Sequence, residues 1–400
     1  MPGWKKLPFD SKWYANINES ALTTAAAAIE NMYLNEAGGH TRFPGLLPFV
    51  SDIGDDGRVY LSEFRGDMLA ATSRGRFYTI DQLGTVVDRT GVPIAGGNRV
   101  IFDETEDEKV MAAGGQIIRF AGATTEILSP DAPAQCSHVQ FVDSYLIANE
   151  LKSGRVQYSE PGEWRTWPAL NLFTAETRPD DVTAVIVTPY RELLLGGGKT
   201  IEQFERIQDA NSPFGRRWGV GHGLATPYTF IATEIGNWCV DENYTFQRIS
   251  GQTAQPASDD IQSVISDVGD WTDAWACYLA VAGQKFILLQ IPEATNIYGT
   301  KGITLLLDSK RRRWLSLYGW NDALGLPARW PGWSAVSLWG KTYVGGEGKI
   351  YELTEDAQDN DGGVQRLLYR SGHYDRWGPV NIGKIRFRLQ RGAKDNGRSA

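Results

Sequence analysis

The chain is poor in the residues that build reactive centres: it holds three cysteines and four histidines among 400 residues. Cys136, Cys239 and Cys277 are odd in number and far apart, with no C-x-x-C spacing. That excludes a disulfide framework or a zinc ribbon and reads as small buried hydrophobes in a reducing compartment. His40, His138, His222 and His373 include no pair at metal-ligand spacing. No apolar run approaches the ~20 residues of a membrane span, and Met1-Pro2-Gly3-Trp4-Lys5-Lys6 lacks the apolar stretch of a secretory signal. A basic surplus is missing as well. Forty Lys and Arg stand against 48 Asp and Glu, a net charge of −8, which disfavours a broad face that grips nucleic acid by counterion release. Helical signal is scarce. Residues 20–32, with Ala25-Ala26-Ala27-Ala28, fit one short helix begun by Asn18 or Ser20, and equally an extended arm.

What the chain does have is apolar substance and a recurring unit. Hydrophobic residues make up 42% and aromatics 11%, enough to bury a core and to exclude disorder. A run of small and apolar residues repeatedly leads to a Gly-rich or charged turn and then to an alternating strand. Met68-Leu69-Ala70-Ala71 precedes Ser73-Arg74-Gly75 and Arg76-Phe77-Tyr78-Thr79-Ile80. Met111-Ala112-Ala113, Tyr145-Leu146-Ile147-Ala148, Leu193-Leu194-Leu195 and Tyr343-Val344 open the same pattern. Each reads as a β-hairpin. Turn centres near residues 75, 115, 154 and 197 are spaced by roughly 40 residues, about the span of one four-stranded propeller blade. Hairpins at Asp241-Glu242-Asn243, within residues 287–303 and at 309–313 extend the series. The expected fold is mainly β, a six- or seven-bladed β-propeller over residues 46–355. An N-terminal arm, 1–45, precedes it. An acidic linker, 355–363, and an incomplete C-terminal β module with a strand at 384–389 occupy the end, 356–400.

Motifs with chemical content fail on inspection. Gly196-Gly197-Gly198-Lys199-Thr200 lacks the first glycine of a phosphate loop, since position 193 is Leu193, and it leads into a strand. Gly219-Val220-Gly221-His222-Gly223 breaks the dinucleotide fingerprint at Leu224. Asp359-Asn360-Asp361-Gly362 would place Ala357 and Leu368 at the first and last ligand positions of a calcium loop. Cys136-Ser137-His138 is too isolated to define a nucleophile and its base. The strongest enzymatic alternative is a propeller glycoside hydrolase, or a carbohydrate-binding module, using carboxylates among Glu176, Asp180, Glu202 and Glu205. No catalytic, cofactor or metal residue is otherwise expected. Trp314, Trp320, Trp330, Trp333 and Trp339 are expected to fill wedges between blades or an oligomer contact. Lys310-Arg311-Arg312-Arg313 reads as a solvated hairpin tip.

Several ordered segments together resemble the packaged-DNA stabilisation protein, the tail hub or nozzle, of short-tailed phages. They are Asn31-Met32-Tyr33 with Arg42-Phe43-Pro44-Gly45-Leu46; Tyr158-Ser159 with Ala175-Glu176 and Pro179-Asp180; Thr200-Ile201-Glu202-Gln203-Phe204; residues 219–225 leading to Trp238-Cys239-Val240-Asp241; and residues 305–308 with Trp314. The resemblance implies a homo-oligomeric ring, hexameric in that family's manner, docked below the portal and its adaptor and carrying tailspikes or fibres. A needle or plug would close its tip, and duplex DNA would pass through without specific binding. It also implies a place in the virion after assembly in the host cytoplasm. Relatives continue beyond the 384–389 strand, which is why the last module is read as incomplete. In such a ring the acidic run Asp103, Glu104, Glu106, Asp107 and Glu108 is the candidate lumen surface, because anionic walls add no cationic friction to moving DNA.

Overall fold

The computed structural model describes residues 29–36, 39–175, 178–207, 209 and 212–369. Seven four-stranded antiparallel blades follow one another around a common axis. Blade 1 comprises Val59–Phe64, Asp67–Thr72, Phe77–Ile80 and Val86–Asp88. Blades 2 to 5 occupy residues 101–127, 139–174, 182–220 and 231–256, and blade 6 is built on residues 275–316. The first strand of each blade lies innermost, beside the first strands of its neighbours.

The repeating signal in the sequence is the second strand, its turn and the third strand. Lys109–Ala112, Tyr145–Asn149 and Leu193–Gly197 are buried at every residue. A second strand has a neighbouring blade against each of its faces, so it reads as a continuous apolar run instead of an alternation. The apolar clusters are accordingly wedges between blades. Tyr60, Leu69 and Phe77 of blade 1 meet Met111 and Phe120 of blade 2. Tyr145 and Phe173 of blade 3 meet Val185, Phe204 and Phe214 of blade 4. The wide gap in the turn spacing is blade 6, whose central pair, Gln284–Thr295 and Lys301–Asp308, is the longest in the fold.

Blade 7 is closed by the other end of the chain. Ser334–Leu338, Lys341–Gly345 and Ile350–Thr354 are joined by Gly45–Val50 as the outermost strand. Gly45 has to be glycine because a Cβ there would stand 2.4 Å from the Asp359 carbonyl oxygen. That contact belongs to the acidic segment 355–363, which is packed onto the closing strand and is no free linker. Leu46 N donates to Asp359 O at 3.0 Å and Asp361 N to Leu46 O at 2.9 Å, and Lys349 pairs with Asp361 at 2.7 Å.

The flank of blade 6 carries two more strands. Ile29–Glu30 runs parallel to Arg313–Ser316, and Leu368–Tyr369 lies antiparallel to Ile29–Glu30. The part of segment 20–32 that is described is therefore extended. The strand expected at 384–389 and His373 lie outside the described residues. Beyond the flank, Met32–Leu34 and His40–Arg42 form a short hairpin.

Arg311 departs from the solvated tip expected of it. Its guanidinium donates to Asp308 Oδ2 at 2.9 Å, Leu34 O at 3.1 Å, Gln284 Oε1 at 3.2 Å and Asn35 O at 2.7 Å. It ties the arm hairpin to blade 6, because a planar fork can satisfy several carbonyls at once. Arg311→Ala is expected to cost about 1–3 kcal/mol, the worth of charge-assisted hydrogen bonds. Amide exchange in residues 32–42 should accelerate selectively, whereas uniform acceleration across the blades would contradict a local clamp.

Candidate functional site at the channel mouth

In each blade the first-to-second and third-to-fourth turns lie at one end of the channel. The second-to-third turns and the connections between blades lie at the other, since consecutive strands are antiparallel. This second end collects charged and aromatic residues from connections far apart in sequence. Arg58, Arg99 and Asp273 each sit one or two residues before an inner strand, and Arg329, Trp333 and Glu347 come from the approach to blade 7 and its turn.

Trp333 is the pivot. The Arg58 guanidinium lies 4.1 Å from its ring centroid and that of Arg329 lies 4.2 Å away. Arg58 is ion-paired with Asp273. Glu347 Oε1 accepts from Arg329 Nη2 at 2.7 Å and from Trp333 Nε1 at 3.1 Å. Burial pulls the Arg58 pKa down, but the hydrogen bond and charge of Asp273 outweigh it and the net shift is upward. For Arg329 burial prevails and the shift is downward despite Glu347.

Arg99 completes the cluster. Its guanidinium lies 4.2 Å from the Trp275 centroid in blade 6 and 5.2 Å from that of Tyr60 in blade 1. Among the described residues no carboxylate is ion-paired with it, and burial lowers its pKa. Burial likewise pushes Tyr228 and Cys277 up to about 12. These cation–π contacts, each worth about 0.5–2 kcal/mol, hold the mouth together across blades that share no strand pairing. Burial favours the neutral tyrosine and thiol.

Cys136-Ser137-His138 lies at the same end. Ser137 Oγ and His138 Nδ1 are 2.9 Å apart, a distance that suits a nucleophile and its base. Burial, however, drives His138 down to about 3 and Cys136 up to about 12. Ser137 Oγ also donates to Thr183 O at 3.2 Å, and Asn149 Nδ2 donates to Ser137 Oγ at 3.0 Å and to Val182 O at 3.0 Å. The group is a buried polar tie between blades 3 and 4.

The residues carrying the family resemblance do not converge on one site. Asn31 is buried with φ 53°. Its Oδ1 accepts from Tyr318 N, and its Nδ2 donates to Arg366 O, both at 2.8 Å. Met32, Phe43, Pro44 and Gly45 pack where the arm meets blades 6 and 7. Thr200, Ile201, Glu202 and Phe204 are buried in blade 4, Glu202 being 3.2 Å from Arg216. Pro179 is exposed, Asp180 Oδ2 accepts from Lys199 N at 2.5 Å, and Glu205 pairs with Arg217 at 2.9 Å. Glu176 lies outside the described residues. Each described member of the carboxylate set considered for glycoside hydrolysis thus has its own partner, and no contact joins two of them.

The acidic run is divided. Glu104, Glu106 and Asp107 are exposed at a first-to-second turn, at the opposite end of the channel from the arginines. Glu108 corrects the expectation of a continuous lumen surface: it is buried, paired with Arg165 and 3.6 Å from Arg119. Asp103 bridges inner strands, its Oδ2 accepting from Phe141 N at 2.6 Å. Burial raises Asp103 from 3.8 to about 6, against the two backbone hydrogen bonds that favour its charge. Because the folded pKa lies above the unfolded one, the folded state holds the proton longer. Its cost is absent below about pH 4, grows as pH rises and is complete above about pH 6. Asp103→Asn should therefore stabilise the protein at pH 7 by about 1–2 kcal/mol, with the advantage gone at pH 4. Denaturation midpoints measured across pH 4–8 check this, and a pH-independent difference would refute it.

No family model matches the sequence, and no curated protein matches it either. Solved structures do match. A streptogramin B lyase structure superposes with TM-score 0.52 at 12% identity, covering 77% of this chain and 96% of that one. YCF48 bound to D1 peptide gives 0.48 at 11%, covering 78% and 97%. The WD40 β-propeller domain of Doa1 gives 0.44 at 12%, covering 78% and 97%. At these identities the likeness concerns the fold. The chain is a seven-bladed β-propeller protein, its last blade closed by the earlier strand Gly45–Val50.

Proposed function

We propose that this propeller is a structural, non-catalytic subunit of the tail hub or nozzle of a short-tailed phage. In this role it helps retain packaged DNA and conducts it during ejection. One observation carries the reading. Two of the segments that resemble that family, Asn31-Met32-Tyr33 and Arg42 to Leu46, lie next to the strands that build the flank and the closure. There Ile29–Glu30 and Leu368–Tyr369 extend blade 6 and Gly45–Val50 completes blade 7. A wall unit needs attachments that leave its closed ring of blades undisturbed, and Ile29 and Tyr369, the outermost described residues of the chain, pair with each other at this one edge. Closure leaves few strand edges to peel under internal pressure.

In this role the subunits form a homo-oligomeric ring, hexameric by the resemblance, below the portal and adaptor. Tailspikes or fibres sit on its flank and a needle or plug at its tip. The test is native mass measurement with electron microscopy of the protein alone and then with portal and adaptor. A closed ring with a channel wide enough for duplex DNA is expected. A persistent monomer that also fails to join the complex overturns the proposal. Turnover of a saccharide, lost on neutralising Asp180 or Glu202, would favour the hydrolase instead.

A further inference from the structure

Where the chain passes from blade 4 to blade 5, His222 comes against the turn between the second and third strands of blade 5. Its Nδ1 lies 3.7 Å from Asp241 Oδ2 and 3.5 Å from Glu242 Oε1. One ligand atom from each of the three lies within 4.8 Å of the others. We propose that His222, Asp241 and Glu242 bind a divalent transition ion, zinc fitting best, that pins the blade 4–5 connection to the blade 5 turn.

The distances argue for an ion between these groups. Zinc bonds imidazole nitrogen and carboxylate oxygen at about 2.0–2.2 Å, so two ligands at a tetrahedral angle stand roughly 3.4 Å apart. The observed 3.5 and 3.7 Å are near that spacing. They are too long for a hydrogen bond from a protonated imidazole, which would close on one carboxylate at about 2.7–2.9 Å. His222 Nδ1 instead stands between the two, its own surface covered although the side chain is 38% exposed, and it has no hydrogen-bond partner, whereas most buried polar atoms have at least one.

The carboxylates are also held from behind. Asp241 Oδ1 accepts from Asn243 N at 2.9 Å and Thr245 N at 2.8 Å, and its Oδ2 accepts from Gln247 Nε2 at 2.8 Å. Glu242 Oε2 accepts from Gly223 N at 2.8 Å, and its Oε1, which also accepts a long 3.5 Å bond from Asn243 Nδ2, faces the imidazole. Such outer partners orient ligands and are the usual accompaniment of a metal centre. Gly223 is itself held close to the blade 4 turn, where a Cβ would stand 2.1 Å from the Gly198 carbonyl carbon. One imidazole and two carboxylates leave a fourth position for water and suit zinc or manganese better than magnesium, which prefers all-oxygen octahedra.

The experiment uses the full chain after chelator treatment, titrated calorimetrically with ZnCl2 and, separately, MnCl2, with thermal unfolding followed in parallel. One equivalent of zinc should bind and raise the melting temperature. His222→Ala and Glu242→Gln should each weaken binding at least tenfold and abolish the thermal shift, while their metal-free melting temperatures and circular dichroism match the parent. Absence of stoichiometric binding to the parent overturns the proposal. So does binding undiminished in both variants, which would locate the ion elsewhere on the acidic surface.

Discussion

Leu46→Ala is expected to destabilise the protein by about 2–5 kcal/mol, the range for emptying a buried leucine site, while Leu47→Ala next to it changes stability by about 0.5 kcal/mol or less. Leu46 is 0% exposed and Leu47 is 48% exposed, although both lie on Gly45–Val50 and point to opposite faces of one strand. Leu46 faces the apolar cluster that includes Phe43, Tyr351 and Leu353. Its backbone meanwhile bonds the 355–363 segment on its outer side. The loss should be cooperative, because releasing this strand uncovers the edge of Ile350–Thr354 and opens the seam where the ring closes. Guanidinium unfolding of the two variants measures the contrast. Equal midpoints would mean that the closing strand is not part of the cooperative unit.

Trp314→Ala is the second large effect, at about 3–5 kcal/mol. The indole is 1% exposed, its edge meets Phe246 of blade 5 at 5.3 Å between centroids, and its Nε1 donates to Ala257 O at 2.7 Å. It therefore couples the fourth strand of blade 6, Arg313–Ser316, to blade 5 by packing and by a hydrogen bond to the connection between them. Trp314→Phe keeps most of the apolar volume but leaves the carbonyl without its donor, so a loss of about 1–3 kcal/mol is expected. If the phenylalanine variant were as unstable as alanine, the hydrogen bond would outweigh the packing and the wedge account would fail.

The propeller was legible because its second strands are buried on both faces, which makes them small, continuous apolar runs recurring at the length of a blade. Trp314 and Trp330 behave as the tryptophan cluster suggests, buried among the blades. The count stayed open between six and seven because blade 6 stretches the spacing and blade 7 is assembled from two ends of the chain. The channel mouth was not legible as a site. Arg58, Arg99 and Asp273 are ordinary charged residues in loops, and the one available signal was their shared place just ahead of inner strands. The trio His222, Asp241 and Glu242 is hidden differently: in the sequence His222 belongs to a broken dinucleotide motif and Asp241-Glu242 to a hairpin turn.

Sequence alone determined the strand content, the blade-length period and the failure of the nucleotide and calcium motifs, since these depend on local periodicity, turn chemistry and residue identity. Tertiary structure decided which charges meet. Whether Glu108 faces a lumen or two arginines, whether 355–363 hangs free or seals the ring, and whether Arg311 is solvated or clamped all depend on contacts between distant segments. Such contacts follow from how seven sheets close around an axis, and no local pattern encodes that geometry.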